Sequence, residues 1–404
     1  MSAAEGRPAL HLTPRTGWLN DPLALTWRDD GQGGRYHLFF QHVPETEWAP
    51  HCGWGHATSR DLLEWQEQPV ALAPAADELG AWSGCLAEDR ILYTSVRADD
   101  VERGLVRTAL PADESWARWD PGDVVVEPPT DTDVTCFRDP FVWRDGDAWR
   151  MLVGAGSANG TGCALGYVSE DLETWEPTGV VAARHTDERG PVWTGAIWEC
   201  PQLLRLPDAD VLVVSAADAD RPGDVVAATG SMRGGRFEVA RWQQLTTGAP
   251  YAASVFRDRD DRPGLVAWLR GVSGEGWSGA VSAPLVVTVE DGRLGLDLHP
   301  VVSQRRGPWD PGATCWELEW QGRGALSFVD ATGNVHARLE VDAASVIVTA
   351  SDTELTLGTG DRPVRVLRDG PVLQVLSGGQ LAASAITPAG LRPEGRGWQG
   401  WALA

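Results

Sequence analysis

Ser59-Arg60-Asp61-Leu62-Leu63-Glu64-Trp65 recurs as Ser169-Glu170-Asp171-Leu172-Glu173-Thr174-Trp175, 110 positions later. Each copy follows a short glycine-containing run that reads as a strand, Gly55-His56-Ala57-Thr58 in the first and Gly166-Tyr167-Val168 in the second. An Asp-Pro pair precedes each copy, at Asp21-Pro22 and Asp139-Pro140, 118 positions apart. Two matching units at that separation imply a repeat with one intervening unit, each about 55 to 60 residues long. A four-stranded propeller blade is of that order, and about 290 residues at that period give about five blades.

The text between the repeats is strand text. Tyr36 to Phe40, Val124 to Val126, Val211 to Ser215 and Leu285 to Val289 are short β-branched or alternating runs, bounded by Gly, Pro, Asp and Asn. Asp145-Gly146, Asp291-Gly292 and Asp369-Gly370 lie between such runs and signal tight hairpins. Long 3.6-period apolar stripes are scarce, so the fold class is all-β. Near Pro300 to Asp310 the spacing changes, and from Thr314 onward short strands such as Trp316 to Trp320 and Ala337 to Val341 follow one another. The expected architecture is a five-bladed β-propeller domain over residues 1–300, followed by a small β-sandwich over residues 310–404.

With 404 residues, 43% of them hydrophobic, the chain can bury a large core. Its 57 acidic against 34 basic residues give a formal charge of -23, which disfavours nucleic acid and anionic lipid as partners and suits a neutral ligand. No basic segment followed by an apolar one opens the chain, and no apolar run approaches a membrane span, so the expected location is cytoplasmic. Cys52, Cys85, Cys136, Cys163, Cys200 and Cys315 are scattered without a Cys-x-x-Cys pair, and read as free buried thiols. The 21 tryptophans against four tyrosines and seven phenylalanines are expected mostly in the core, with some free to stack on the C–H faces of sugar rings.

Three acids share one context: Asn20-Asp21-Pro22 before Leu23, Arg138-Asp139-Pro140 before Phe141, and Glu199-Cys200-Pro201 before Gln202. Proline is tolerated at the first residue of a strand, so each acid is expected at a strand mouth. In a propeller the innermost strands line the central channel, and three such mouths would converge on one pocket. A lone Asp-Pro is ordinarily a turn; three in parallel context point to a site. Two carboxyl groups about 5 Å apart suffice for retaining glycoside hydrolysis, and a third can stabilise charge. Mutual repulsion and partial burial are expected to raise the pKa of one of them.

These residues also carry a family likeness. Gly17-Trp18-Leu19-Asn20-Asp21-Pro22, Phe39-Phe40-Gln41-His42-Val43-Pro44, Trp54-Gly55-His56, Trp82-Ser83-Gly84, Phe137-Arg138-Asp139-Pro140 and Trp198-Glu199-Cys200-Pro201 resemble glycoside hydrolase family 32, the invertases, levanases and inulinases. The resemblance continues through Tyr251-Ala252, Trp268 and Gly276-Trp277 into the C-terminal region. It implies an enzyme acting on sucrose or fructo-oligosaccharides, with Asp21 as nucleophile, Glu199 as general acid and then base, and Asp139 as transition-state stabiliser. It also implies that Asn20, Gln41, Trp48, Trp82, Ser83, Arg138, Tyr251 and Trp268 line the fructose pocket. Cys200 adjoins the acid, where it either tunes it or packs beneath the pocket. The chain departs from the family at Leu23-Ala24, at Ala249-Pro250 and at Leu285, which leaves the substrate open.

Other signals are weaker. Gly154-Ala155-Gly156 and Gly160-Thr161-Gly162 complete no phosphate-binding fingerprint and read as hairpin turns. His51 and His56 lack a His-Glu-x-x-His frame, so no metal and no cofactor are expected, and no Gly-x-Ser-x-Gly elbow occurs. Two alternatives stay open: a fructosyltransferase using the same intermediate, and a catalytically weak fructan-binding protein. The sequence leaves the oligomeric state open.

Overall fold

The repeated heptapeptide closes two strands in the same way. In the computed structural model, which describes residues 6–31, 33–130, 132–218, 221–321, 324–342, 344–350, 353–386 and 390–403, Ser59 and Ser169 each end the third strand of a four-stranded antiparallel unit. The Ser59 hydroxyl accepts the Asp61 and Leu62 N–H groups at 3.2 and 2.9 Å, and Asp61 Oδ1 accepts those of Leu63 and Glu64 at 3.0 and 2.9 Å. Ser169 and Asp171 repeat all four bonds at 2.8 to 3.2 Å. Leu62 and Leu172 share a left-handed backbone, with φ of 69° and 64°, and the Trp65 and Trp175 indoles donate to their carbonyls. Short Ser and Asp side chains that bond their own backbone make this turn locally determined.

Five such units follow one another. Blade I comprises Gly17–Arg28, Arg35–Val43, Gly53–Ser59 and Trp65–Leu72. Blade II comprises Gly80–Ala87, Arg90–Arg97, Asp100–Pro111 and Trp119–Val126. Blade III comprises Val134–Asp145, Ala148–Ser157, Thr161–Ser169 and Glu176–His185. Blade IV comprises Ile197–Arg205, Asp210–Asp218, Arg221–Arg233 and Arg236–Gln244. Blade V comprises Pro250–Arg257, Pro263–Gly274, Leu285–Glu290 and Arg293–Leu298. Each first strand packs against the first strand of the next blade, and that of blade V against that of blade I, so the five form a closed ring. An extra strand, Trp277–Val281, pairs with Pro263–Gly274 and runs parallel to the start of Gly17–Arg28, tying the last blade to the first.

Beyond the short helix Pro300–Ser303, two further sheets pack face to face. One runs in the order Thr246–Gly248, Gln380–Ala385, Val372–Ser377, Val364–Asp369, Cys315–Trp320, Trp398–Leu403, Arg306–Gly307. The other runs Thr353–Gly358, Ser345–Ala350, Val335–Val341, Gly324–Val329, Arg392–Glu394. Trp316, Trp320, Phe328, Leu339 and Val366 fill the space between them. The protein is thus an all-β chain, a five-bladed propeller followed by a β-sandwich. A second core joins the two, with Leu204, Leu265 and Leu285 meeting Leu367, Leu376 and Leu381. The N-terminal segment is clamped there as well: the Asp369 carboxylate accepts from the Ala9, Leu10 and His11 N–H groups at 2.7 to 3.0 Å.

The three Asp-Gly pairs all form hairpin turns, with Gly146, Gly292 and Gly370 at φ of 63°, 70° and 55°. Gly154 and Gly156 do not: they lie inside Ala148–Ser157, where a Cβ would run into the Trp198 and Ala196 carbonyl oxygens of blade IV. Gly162 likewise makes room for the Trp198 indole, and of that group only Gly160 is in a turn. Most tryptophans serve the core, as expected: nine of the 21 are buried, and Trp27, Trp65, Trp143, Trp149, Trp193, Trp268, Trp309 and Trp398 are half-buried against core clusters, while Trp48 is exposed. All six cysteines are buried and unpaired. No helix among the described residues is long and apolar enough to cross a membrane.

Candidate active site

The carboxylates are placed by one backbone device used five times. Every first strand carries an irregularity at the same level, where its pairing with the second strand slips by one residue. The slips fall between Asn20 and Pro22, Ala81 and Gly84, Arg138 and Phe141, Glu199 and Gln202, and Tyr251 and Ser254. The extra residue takes a positive φ in four of them: Asp21 at 34°, Asp139 at 65°, Cys200 at 45° and Ala252 at 47°. A β-bulge bends its strand and re-aims a side chain. It also explains Pro140 and Pro201, which lie outside the ladder and need no N–H, while Pro22 resumes the pairing opposite Phe40 directly after the bulge. The acids are therefore inside their strands, not at strand entries as the Asp-Pro spacing implied.

They are also not equivalent. Asp21, Asp139 and Cys200 hold the positive-φ position, whereas Glu199 holds the preceding one, alongside Asn20, Arg138 and Tyr251. Two layers of side chains result. In the first, Cys200 Sγ lies 3.9 Å from Asp21 Oδ2 and 3.6 Å from Asp139 Oδ2, and the Cys200 N–H donates to Asp139 Oδ2 at 2.8 Å. In the second, Arg138 donates to Glu199 Oε1 through Nε at 3.2 Å and Nη2 at 3.0 Å, and the Tyr251 hydroxyl donates to Glu199 Oε2.

Asp21 is held from three sides. Ser83 Oγ donates to Oδ2 at 2.6 Å, Gln41 Nε2 reaches the same oxygen at 3.3 Å, and Asn20 Nδ2 donates to Oδ1 at 2.8 Å. The Trp18 indole donates to Asn20 Oδ1 at 2.8 Å, which fixes the amide so that its NH2 faces Asp21 and Gln41. Thr94 props the neighbouring bulge: its hydroxyl donates to the Ser83 carbonyl at 3.0 Å and accepts the Asp139 N–H at 2.7 Å.

Burial dominates the electrostatics. It pushes Asp21 up to about 6 against the opposing Ser83 and Asn20 hydrogen bonds, with the charge of Glu199 adding a smaller push. It pushes Asp139 up to about 7, with Arg138 opposing and Glu199 and Asp21 adding to the rise. Two acids are raised, not one, and repulsion is secondary to desolvation. Burial and the surrounding carboxylates also push the Cys200 thiol and the Tyr251 phenol far up, so both stay protonated and available as donors.

Of the residues singled out in the sequence, Asn20, Gln41, Ser83, Arg138 and Tyr251 all contact one of the carboxylates. Trp82 lies beside Arg138, whose guanidinium is 5.9 Å from its ring, and Trp48 packs edge-on to Trp82 at 5.6 Å. Trp268 packs edge-on to Trp18 at 5.6 Å and against Cys200 and Tyr251, its indole N–H without an acceptor among the described residues. Leu23 and Leu285 are core residues, the first with Phe39 and Trp54, the second between propeller and sandwich. Sequence reasoning did not find Thr94 or Glu102, whose carboxylate accepts from Arg138 Nη1 at 2.9 Å. Neither belongs to a repeated motif; both reach the site through pairing between strands.

Residues 11–300 match the model of the glycosyl hydrolases family 32 N-terminal domain. The sucrose-6-phosphate hydrolase of Escherichia coli is 31% identical over 316 residues, covering 71% of this chain and 63% of that protein. The raffinose invertase of Escherichia coli is 31% identical over 333 residues, covering 73% and 65%. The chain thus spans less than two thirds of the length of these curated relatives. Among solved structures, a variant of the family 32 β-fructofuranosidase of Bombyx mori in complex with sucrose superposes with a TM-score of 0.83 at 22% identity, over 98% of this chain and 94% of that one.

Proposed function

The chain belongs to glycosyl hydrolase family 32, and from that premise we propose that it is a retaining β-fructofuranosidase-type glycosidase. Its substrates are sucrose or short fructans, from which it releases terminal β-D-fructofuranosyl units through a covalent fructosyl-enzyme intermediate. The observation that carries the reading is the two-layer arrangement of carboxylates: Asp21 and Asp139 on either side of Cys200 Sγ, with Glu199 one residue nearer the strand starts.

In this reading the fructosyl ring lies against the first layer and the leaving sugar beyond the second. Asp21 attacks the anomeric carbon. Ser83, Asn20 and Gln41 aim its oxygens and stabilise the ionised form that the attack requires, against the desolvation that raises its pKa. Glu199 protonates the departing glycosidic oxygen and then, as base, takes a proton from the water that resolves the intermediate. Arg138 and Tyr251 orient it. Asp139, locked by the Cys200 N–H, receives fructose hydroxyls and tightens on them as positive charge develops on the ring. Trp48, Trp82 and Trp268 supply apolar walls for sugar C–H faces.

Residues 1–300 form the catalytic domain in this account and residues 310–404 a supporting β-sandwich domain. In support, the ring of first strands and all three carboxylates lie in the former. Fructose release from sucrose, inulin and levan by wild type, Asp21→Ala and Glu199→Ala tests the roles. Loss of at least about a thousandfold in kcat is expected for each variant, and undiminished activity in either overturns the assignment.

A further inference from the structure

We infer that the leaving-sugar side of the pocket takes an uncharged sugar and discriminates against a phosphorylated one, and that Glu102 sets this preference. The inference rests on the hydrolase reading above, which puts the leaving sugar beside Glu199. Glu102 lies at the start of Asp100–Pro111, the third strand of blade II. That end is stitched to blade III by the parallel pairing of Arg103 with Phe137, immediately before Arg138. Gly104 lets the strand lie close on its neighbour within blade II, since a Cβ there would run into the Thr94 side chain. Glu102 is thereby delivered to Arg138 by the backbone.

A phosphate-binding subsite needs an arginine with a free edge or a cluster of unpaired cations. Arg138, the guanidinium beside the acid, spends Nε and Nη2 on Glu199 and Nη1 on Glu102. The neighbouring Arg103 is folded back on Asp100, through Nε and Nη2 both at 2.9 Å, and Arg97, which makes no hydrogen bond through Nε, faces the carboxylate of Asp99 at 3.5 Å. The segment from Arg97 to Arg103 therefore carries three carboxylates against two guanidinium groups. Glu102 is 56% exposed in its side chain and Trp48 is exposed to a similar degree, so the mouth offers a carboxylate and an indole face. An uncharged sugar can donate hydroxyls to the first and stack its C–H face on the second. A phosphoryl group, with about -1.5 to -2 charge near neutral pH, meets like charge there.

The test compares sucrose with sucrose 6-phosphate, by kcat and KM for wild type, Glu102→Gln, Glu102→Lys and Glu102→Asp, and by calorimetric binding to Asp21→Asn. Wild type is expected to favour sucrose by at least about tenfold in kcat/KM. Glu102→Gln should narrow the ratio about threefold and Glu102→Lys about tenfold or more, through KM for the phosphorylated sugar, while Glu102→Asp keeps it. Raising the salt from 0.01 M to 1 M, over which the Debye length falls from about 30 to about 3 Å, should shrink the ratio as well, which a purely structural role of Glu102 would not do. A wild-type preference for the phosphorylated sugar, or a ratio unmoved in Glu102→Lys, overturns the inference and leaves the hydrolase reading intact. Discriminating binding by Asp21→Asn with no wild-type turnover of either sugar overturns the hydrolase reading and leaves this one. Binding of neither sugar overturns both.

Discussion

Replacing Ser83 with alanine isolates what the structure says about the ionisation of Asp21. The Ser83 hydroxyl donates to Asp21 Oδ2 at 2.6 Å in a buried setting and is, with burial, one of the two largest influences on that carboxyl, whose pKa is about 6. A hydrogen bond to a charged group is worth about 1.5 to 3 kcal/mol. At 1.36 kcal/mol per pH unit, its loss moves the acid limb of the kcat/KM profile upward by about one to two pH units. At pH 6 the competent fraction then falls from near one half to about a tenth or a hundredth, a loss of about five- to fiftyfold. At pH 8.5 the loss is small. Asn20 and Gln41 remain as donors, so the lower end of the range is expected. The assay is initial-rate kinetics on sucrose from pH 4.5 to 9, with circular dichroism to establish that the variant is folded. An acid limb that stays in place, or a loss of the same size at every pH, would refute the reasoning and assign Ser83 to packing or sugar binding.

Asp139 carries a linkage with a definite sign. Its folded pKa, about 7, is above the ordinary 3.8, so the folded state holds its proton more tightly than the unfolded one, and stability is lost as the pH rises from about 4 through 7. Asp139→Asn should thus gain in Tm more at pH 8 than at pH 4 while losing activity; an equal change at both pH values contradicts this. His37 and His56 act oppositely. Their rings lie 3.0 Å apart, nitrogen to nitrogen, and burial holds them down to about 4 and about 3, so Tm should fall as the pH drops from 6.5 toward 4. A His37→Gln, His56→Gln double variant should flatten that slope, and an unchanged slope would assign it elsewhere. Gly154→Ala should cost about 1 to 3 kcal/mol in denaturant unfolding, because the new methyl meets the Trp198 carbonyl. It should also lower kcat by displacing Glu199; wild-type stability would show that the strands part freely.

Locally encoded features were the legible ones. The heptapeptide echo revealed the blade period because Ser59, Asp61, Ser169 and Asp171 bond their own backbone, so the same turn demands the same residues twice. The Asp-Gly hairpins were legible because their turns place the glycine at a positive φ that other residues rarely take. What failed depended on neighbours far along the chain. Glycines at 154 and 156 read as turns, because a strand glycine that admits another strand looks identical in sequence to one that takes a positive φ. The one-residue offset of Glu199 was hidden because Glu-Cys-Pro resembles Asn-Asp-Pro and Arg-Asp-Pro until the register with the second strand is known. Blade II breaks the acid-proline pattern altogether, so Trp82-Ser83 revealed its place only by family likeness. Thr94 and Glu102 carried no signal at all.

The most direct test of the central claim uses a fructosyl donor with a leaving group that needs no acid, β-fructofuranosyl fluoride, and the Glu199→Gln variant, which can form the intermediate but lacks the base to resolve it. Acid quench, peptide digestion and mass spectrometry then locate the adduct. The account predicts a mass increase of one fructosyl residue on the peptide containing Asp21, absent in the Asp21→Asn, Glu199→Gln double variant. Fluoride release without an adduct, or an adduct on any residue other than Asp21, would contradict it.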